Sequence, residues 1–453
     1  MSKSWHKIIV VLILTLASTS TWAQVQNSNI SPKINSPLSR FGLGDFIPQY
    51  FAASGAMGGL AAAVQDPYHI NIVNPASLAS LQATAFSGGL YARQSRYTTS
   101  SGEDDAWSGN LQYLALAFPL RNPINQALDR QSNSWNAGMS IALVPQTQVG
   151  YNISLVDTES PGIEVSTNTL KGSGGTSKLR WGTGFRYRQL SVGADVGFLF
   201  GNLINSRLVD FDSLSGSLNT EFQDELSVRG TTWSFGAQYA FDFKETNKDG
   251  ELVPSGKRLV VGATLGNEST LNLEGTQFTR RFLSTVVSDT IFFSEDLAGE
   301  GVLPSSYSFG VHFQDLNRLS LGIEYGAAAW GNYQNVLKED EEPLRDNYYV
   351  AVGGEYIPNF NSYNNYWEKV RYRLGFRYGT DPRTINGQQV DGYSVTFGFG
   401  LPVILPRQQV SFINTAFEFG RAGVDGELEE NFVRLTFGFT LNDNSWFFKR
   451  KFN

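Results

Sequence analysis

The chain reads as an all-β, antiparallel transmembrane barrel of about 14 strands with an N-terminal segment inside it, and three observations predict this. Apolar and small or polar residues alternate strictly over runs of about ten residues from Ala83 to the C-terminus, the period of strands with two different faces. There are 46 Gly and 13% aromatics in 453 residues, yet no apolar stretch after the first 23 residues is long enough for a helix to span a bilayer. Finally, the N-terminus carries the marks of export.

Lys3 and Lys7 precede the apolar run "IIVVLILTLA", and "STSTWA" closes it before Gln24. This is the pattern of a cleaved secretory signal, residues 1–23. There is no Cys, so disulfides, thiolate metal sites and a lipid anchor on a mature N-terminal cysteine are excluded. Removing Lys3 and Lys7 from 35 basic side chains leaves 33 against 42 acidic ones, a net charge of −9, and no basic patch argues for nucleic acid.

The alternation is plain near the C-terminus. Val433, Leu435, Phe437, Phe439 and Leu441 alternate with Arg434, Thr436, Gly438 and Thr440; Tyr372, Leu374, Phe376 and Tyr378 alternate with Arg371, Arg373, Gly375 and Arg377. A soluble sandwich would bury the large apolar face and a membrane barrel would expose it to lipid, so alternation alone does not separate the two. Aromatics crowding strand ends ("WEKVRYR", "DNYYV", "TTWSF"), glycines recurring on the small face (Gly193, Gly236, Gly262, Gly310, Gly398) and connections alternating in length favour the barrel. The predicted strands are 84–95, 108–120, 134–156, 164–187, 190–208, 224–243, 257–281, 288–313, 317–330, 345–357, 368–379, 391–401, 408–420 and 431–441. Twelve or sixteen strands would obey the same rules. The acidic, Gly-rich segments "YTTSSGEDDAW", "GTDPRTINGQQVD" and "RAGVDGELEE" are expected as extracellular loops.

Little catalytic chemistry is available. Beyond the signal there are two histidines, His69 and His312, too few for a three-histidine metal site, and His312 falls on a small, polar strand face. "KGSGGTSK" lacks the spacing of a phosphate loop, and "ETNKDGE" starts like a Ca²⁺ loop but has Gly256 where the twelfth-position glutamate belongs. "KEDEE" (338–342) reads as a solvated loop tip, with surface divalent-ion binding as the alternative. No enzyme and no cofactor are implied.

Ahead of the first strand lies "MGGLAAAVQDPYHINIVNPASLASL". Gly58, Gly59, Asp66, Asn74, Pro75 and Ala76 in this segment resemble the N-terminal signature of the FadL-like outer-membrane barrels, the long-chain fatty-acid transporter superfamily. "LPSSYSFGVHF", where Pro304 opens a strand, "SPLSRFGLGDF" and the ending "RLTFGFTLNDNSWFFKRKFN" resemble a branch that includes PorV-like barrels. The resemblance implies that residues 24–82 fold into the lumen as a hatch, residues 83–443 form the barrel and 444–453 a short periplasmic tail. The alternative for 24–82 is a disordered periplasmic tail. A 14-strand wall is too wide to be filled by its own side chains alone, which also asks for a hatch.

In the family a kink in the third strand opens a lateral path, and Pro145 carries over as the gate candidate, a plain bulge being the alternative. The inward set holds Arg180, Arg186, Asp195, Asp242, Glu324, Glu355, Arg371, Arg373, Arg377, Glu418 and Arg434. Such charges disfavour an unbroken apolar channel. The family weight points to passive uptake of small hydrophobic molecules through the bacterial outer membrane. The alternative is a non-transporting adaptor of an outer-membrane secretion or barrel-assembly machine. The expected partners are outer-membrane lipid, a hydrophobic small molecule, and other outer-membrane or periplasmic proteins.

Overall fold

The computed structural model describes residues 36–100, 102–121, 134–157, 165–211, 217–246, 252–283, 286–315, 318–338, 343–405 and 409–443. The signal (1–23) and the tail (444–453) lie outside them.

A single antiparallel sheet closes on itself. Its strands are β2 (Thr84–Thr99), β3 (Gly102–Pro119), β4 (Trp135–Asp157), β5 (Ser166–Tyr187), β6 (Leu190–Asp210), β7 (Asn219–Thr246), β8 (Leu252–Gly266), β9 (Ser269–Leu283), β10 (Val286–Leu303), β11 (Ser306–Asp315), β12 (Leu319–Ala328), β14 (Asn347–Tyr356), β15 (Arg371–Ile385), β16 (Gln388–Leu405), β17 (Gln409–Val424) and β18 (Leu428–Asp443). β8 and β9 stack end to end as one wall strand, since β7 pairs with β8 through Ser234–Thr246 and with β9 through Asn219–Gly230. β10 and β11, parted at Pro304, make the next. The wall thus has 14 strands, and β18 closes it against β2. Two short strands add to it: β1 (Asp45–Phe46) of the N-terminal segment, beside β4, and β13 (Gln334–Asn335), beside β10.

Burial decides between sandwich and barrel. The large apolar residues of the alternating runs are the exposed ones: Phe309 is 57% and Leu374 63% exposed, whereas Arg373 and Glu324 are 4% and 2% exposed. A water-soluble fold puts these the other way round. An apolar outer surface around a polar, filled interior is a wall built for lipid. No helix among the described residues is long and apolar enough to cross a membrane.

The expected loops at the rim opposite the chain ends are largely strand. β2 and β3 pair out to Thr99↔Gly102, and β15 to β18 pair well past the apolar belt to Gln388, Val424 and Leu428. Once both faces meet water, alternation ceases while the hydrogen-bond ladder continues, held by pairs such as Arg96–Asp105 at 2.9 Å. "KGSGGTSK" lies within β5, and residues 247–251 of "ETNKDGE" and 339–342 of "KEDEE" lie outside the described residues.

This upper rim is uneven. β4 to β10 rise far above the belt as a half-wall, while β12 ends at Ala328. The inner face of the half-wall is apolar: Val149, Leu199, Leu203, Val228, Leu271 and Leu273 pack with Leu43 from the N-terminal segment and Trp330 from the excursion after β12.

Candidate functional site

Residues 36–82 run against the inner face of the wall at two levels. The upper level is a strap. Ser36 N–H donates to Gly150 O (2.8 Å), β1 pairs with Thr147 and Gln148 of β4, and Ile47 N–H donates to Gln146 O (3.0 Å). The strap extends the sheet along β4 because that edge is free. β3 and β4 pair only from Leu114↔Leu143 to Pro119↔Gly138, and above this they part.

Pro145 stands where they part. The β4–β5 register shifts between Pro145 and Thr147, and the inward parity of β4 switches from Ala142 and Val144 to Thr147, Val149 and Tyr151. Proline has no N–H for a ladder, and the extra residue re-aims the strand. The far end of the strap is fixed by Arg383, which donates to Leu38 O (2.9 Å) and forms ion pairs with Asp45 and Asp381.

The lower level is the hatch, and it meets the wall backbone to backbone. Ala62 O lies where a side chain on Gly262 would be, Pro75 where side chains on Gly184 and Gly193 would be, and Met57 and Gly58 where those of Gly353 and Gly375 would be. A Cβ at any of these positions would overlap the hatch. This is the physical reason for glycine on the small face of one strand after another. Gly58 and Gly59 add a second one, with φ of +72° and +83°, which side chains tolerate poorly.

Asn74 organises the turn. Fully buried, it accepts from Ala76 N–H (3.0 Å), capping the 3-10 turn Pro75–Ser80, and donates to Ala62 O (2.6 Å) and, across to the wall, to Ala263 O (3.3 Å). Pro75 opens that turn where no N–H is required. Ala76 is fully buried beside it.

Charged groups of the wall complete the contact. Glu324 accepts from Ala61 and Ala62 N–H (2.7 Å each) and from Tyr349 O–H (2.8 Å), three donors to one buried carboxylate. Asp66 accepts from Tyr68 N–H (2.8 Å) and contacts His69 Nδ1 and Arg371 at 3.0 Å each. Burial alone would raise the Asp66 pKa; the charges of His69 and Arg371 and the hydrogen bonds from His69 and Tyr68 outweigh it and hold the carboxyl far below the usual range. Arg371 also reaches Glu355 (3.3 Å), which Arg373 binds at 2.8 Å while donating to Asn414 (2.7 Å). Arg377 lies 3.6 Å from the centre of the Tyr349 ring and donates to Gly58 O.

The remaining predicted residues sit on the same inward face in other company. Arg180 and Asp195 pair at 3.0 Å, both buried. Arg434 stacks on Tyr91 at 4.3 Å, with Glu418 opposite it on β17. Arg186 is half-buried toward the lower end, and Asp242 is exposed at the lower rim, paired with Arg258. Sequence reading missed the strap's anchors, Arg383 and Asp45, because their partners are 338 residues apart. Gln238, donating to Ala62 O (2.9 Å) and accepting from Gln65, was missed too.

Two cavities flank the hatch. The lower, about 130 Å³, is lined by charged groups, Asp66, Arg371 and Arg373 among them, and by apolar ones such as Phe51, Ile70 and Ile357. The upper, about 470 Å³, lies between strap, hatch and the strands β11, β12 and β14 to β18, with Phe46, Trp330, Tyr349 and Arg377 in its lining. Among the described residues no group of three or more His, Cys, Asp or Glu is arranged to hold a metal.

A 14-strand wall, an internal N-terminal segment and a third strand that breaks from the second together define a barrel of the FadL type. Within that class the chain belongs to the BamG family, whose model matches residues 5–453. Solved structures share the fold. The toluene transporter TodX of Pseudomonas putida is 19% identical with a TM-score of 0.54, covering 89% of this chain and 100% of that one. The monoaromatic hydrocarbon channel CymD is 15% identical (0.52; 89% and 99%), and a Pseudomonas aeruginosa FadL homologue 13% (0.54; 88% and 98%). No curated protein sequence matches the chain.

Proposed function

We propose that the protein is an outer-membrane barrel with a closed lumen, acting as an accessory subunit of an outer-membrane secretion or barrel-assembly machine. The observation that carries this is the glycine-lined contact between hatch and wall: main chain meets main chain around the lumen, and buried charge-assisted hydrogen bonds lock the two together. A hatch that opens for each solute would have to break several of these at once, at about 1.5–3 kcal/mol for each hydrogen bond to a charged group. The 130 Å³ cavity below the hatch sets the charges of Asp66, Glu355, Arg371 and Arg373 among apolar residues such as Phe51, Ile70 and Ile357, so an apolar solute leaving that way would pass buried charge. The hydrocarbon channels share fold alone with this chain, whereas the match spanning almost its whole length is to the BamG family.

Stoichiometric co-purification with other outer-membrane proteins from native membranes, without release of a lipid-like ligand, is the expected result. A protein that purifies alone and carries such a ligand contradicts it.

A second reading, passive uptake of a small hydrophobic molecule, is favoured by the parted seam between β3 and β4 and by the 470 Å³ cavity above the hatch. On this reading Pro145 is the gate and a solute leaves sideways into the lipid without passing the hatch. Loss of uptake of a monoaromatic hydrocarbon on deletion, with secretion and other barrels unaltered, would favour it over the first.

A further inference from the structure

β10 is the last strand of the tall half-wall, and among the described residues one of its edges is unpaired over most of its length. It pairs with β9 along its length, but on its other side it meets only β13, at Gly301 and Val302. From Asp289 to Ala298 that edge has no strand beside it among the described residues. It lies above the lipid belt, which in this wall strand is carried by Phe309 and Val311 of β11; Phe293 is ten residues beyond Leu303, roughly 30 Å along the strand.

The chemistry of this edge is unusual for a surface in water. Ile291, Phe292 and Phe293 are 54%, 50% and 57% exposed. The strand contains no Lys, Arg or Pro, the residues that usually blunt an open edge. It carries Asp289, Glu295, Asp296 and Glu300 instead, and among the described residues only Asp289 has an ion-pair partner, Arg281 of β9. Register shifts at three places, one next to Asp296 with φ +58°, bend it. Acidic charge and bulges together disfavour pairing with a second copy of the same edge, whose charges would face their like. They do not disfavour a strand of opposite charge.

We propose that the β10 edge is a docking site for an extended segment of a partner protein, basic and apolar in composition, which adds to the half-wall as a further strand. Main-chain hydrogen bonds supply the affinity, Ile291 to Phe293 the apolar contact, and Glu295 and Asp296 the selection for a basic strand. This rests on the accessory-subunit reading and says where one partner binds.

The test compares amide hydrogen exchange of β10 in the full-length protein purified alone with that in the assembly extracted from native membranes. The expected result is slowing of at least tenfold at residues within 289–298 in the assembly only. The double substitution Glu295→Lys/Asp296→Lys should remove that slowing and lower partner occupancy at least tenfold, with heat-dependent gel mobility of the barrel unchanged. A stoichiometric assembly in which β10 exchanges as in the isolated protein overturns the docking site and leaves the accessory reading standing. Slowing already present in the isolated protein and rising with its concentration assigns the edge to a second copy and also overturns it. Absence of any assembly overturns both.

Discussion

The two levels at which the N-terminal segment meets the wall are built from opposite materials. At the hatch, main chain lies on glycine, and specificity comes from Asn74, Glu324 and Asp66 reaching individual peptide groups and charges. At the strap, Leu43 and Phe46 pack on the apolar inner face of the half-wall and on Trp330, whose ring centre is 4.5 Å from that of Phe46. Backbone on glycine leaves no slack, because any added atom collides; side chains on side chains can repack. On the proposed reading the hatch is the rigid seal and the strap the replaceable cover of the parted seam.

Adding a side chain to the collar should do the most damage. In Gly262→Val the new atoms overlap Ala62 O, so the hatch must leave its seat at a cost of roughly 3 kcal/mol or more. Black lipid membranes should then show ion conductance while the barrel keeps its heat-dependent gel mobility. A silent, stable Gly262→Val barrel would mean the hatch is not gripped there. Glu324→Gln keeps the shape but removes the charge that receives Ala61 and Ala62 N–H, and should lower thermal stability by about 1.5–3 kcal/mol. Proteolysis should then reach the 58–65 segment faster than in the parent.

The strap should respond more mildly. Phe46→Ala removes a half-buried ring and should cost about 1–2 kcal/mol. A spin label on the strap should gain mobility while one on the hatch does not. Equal loosening at both levels would erase the distinction. The smallest effect is on pH. The folded pKa of Asp66 is depressed, so its contribution is complete above about pH 4 and is lost only as pH falls well below that. Amide exchange at Tyr68 and His69, after correction for intrinsic rates, should rise only below about pH 4; a rise well above pH 4 would contradict the assignment to Asp66.

How far each level was legible follows from the same contrast. Alternation in "RLTFGFTL" and "YSVTFGFGL" is a local property, so the 14 strands could be read off the sequence, and the glycines of the collar stood out because they recur at one parity. Asn74 and Pro75 belong to a short motif and were readable for that reason. The purely local signal failed above the lipid belt, where pairing persists without alternation, as in Thr98↔Glu103 and Thr384↔Gln389. It also could not reveal Asp45–Arg383 or Gln65–Gln238, partners that only the closure of the barrel brings together. Pro145 was visible as an oddity in a strand; that β3 leaves β4 there depends on the register of three strands.

The central claim, a lumen closed at the hatch, is most directly tested by reconstituting the purified full-length protein in a planar bilayer and recording current at fixed voltage. The account predicts no steady conductance above that of the lipid, with conductance appearing when Gly262 is replaced by Val. A steady ohmic conductance in the unaltered protein would contradict it.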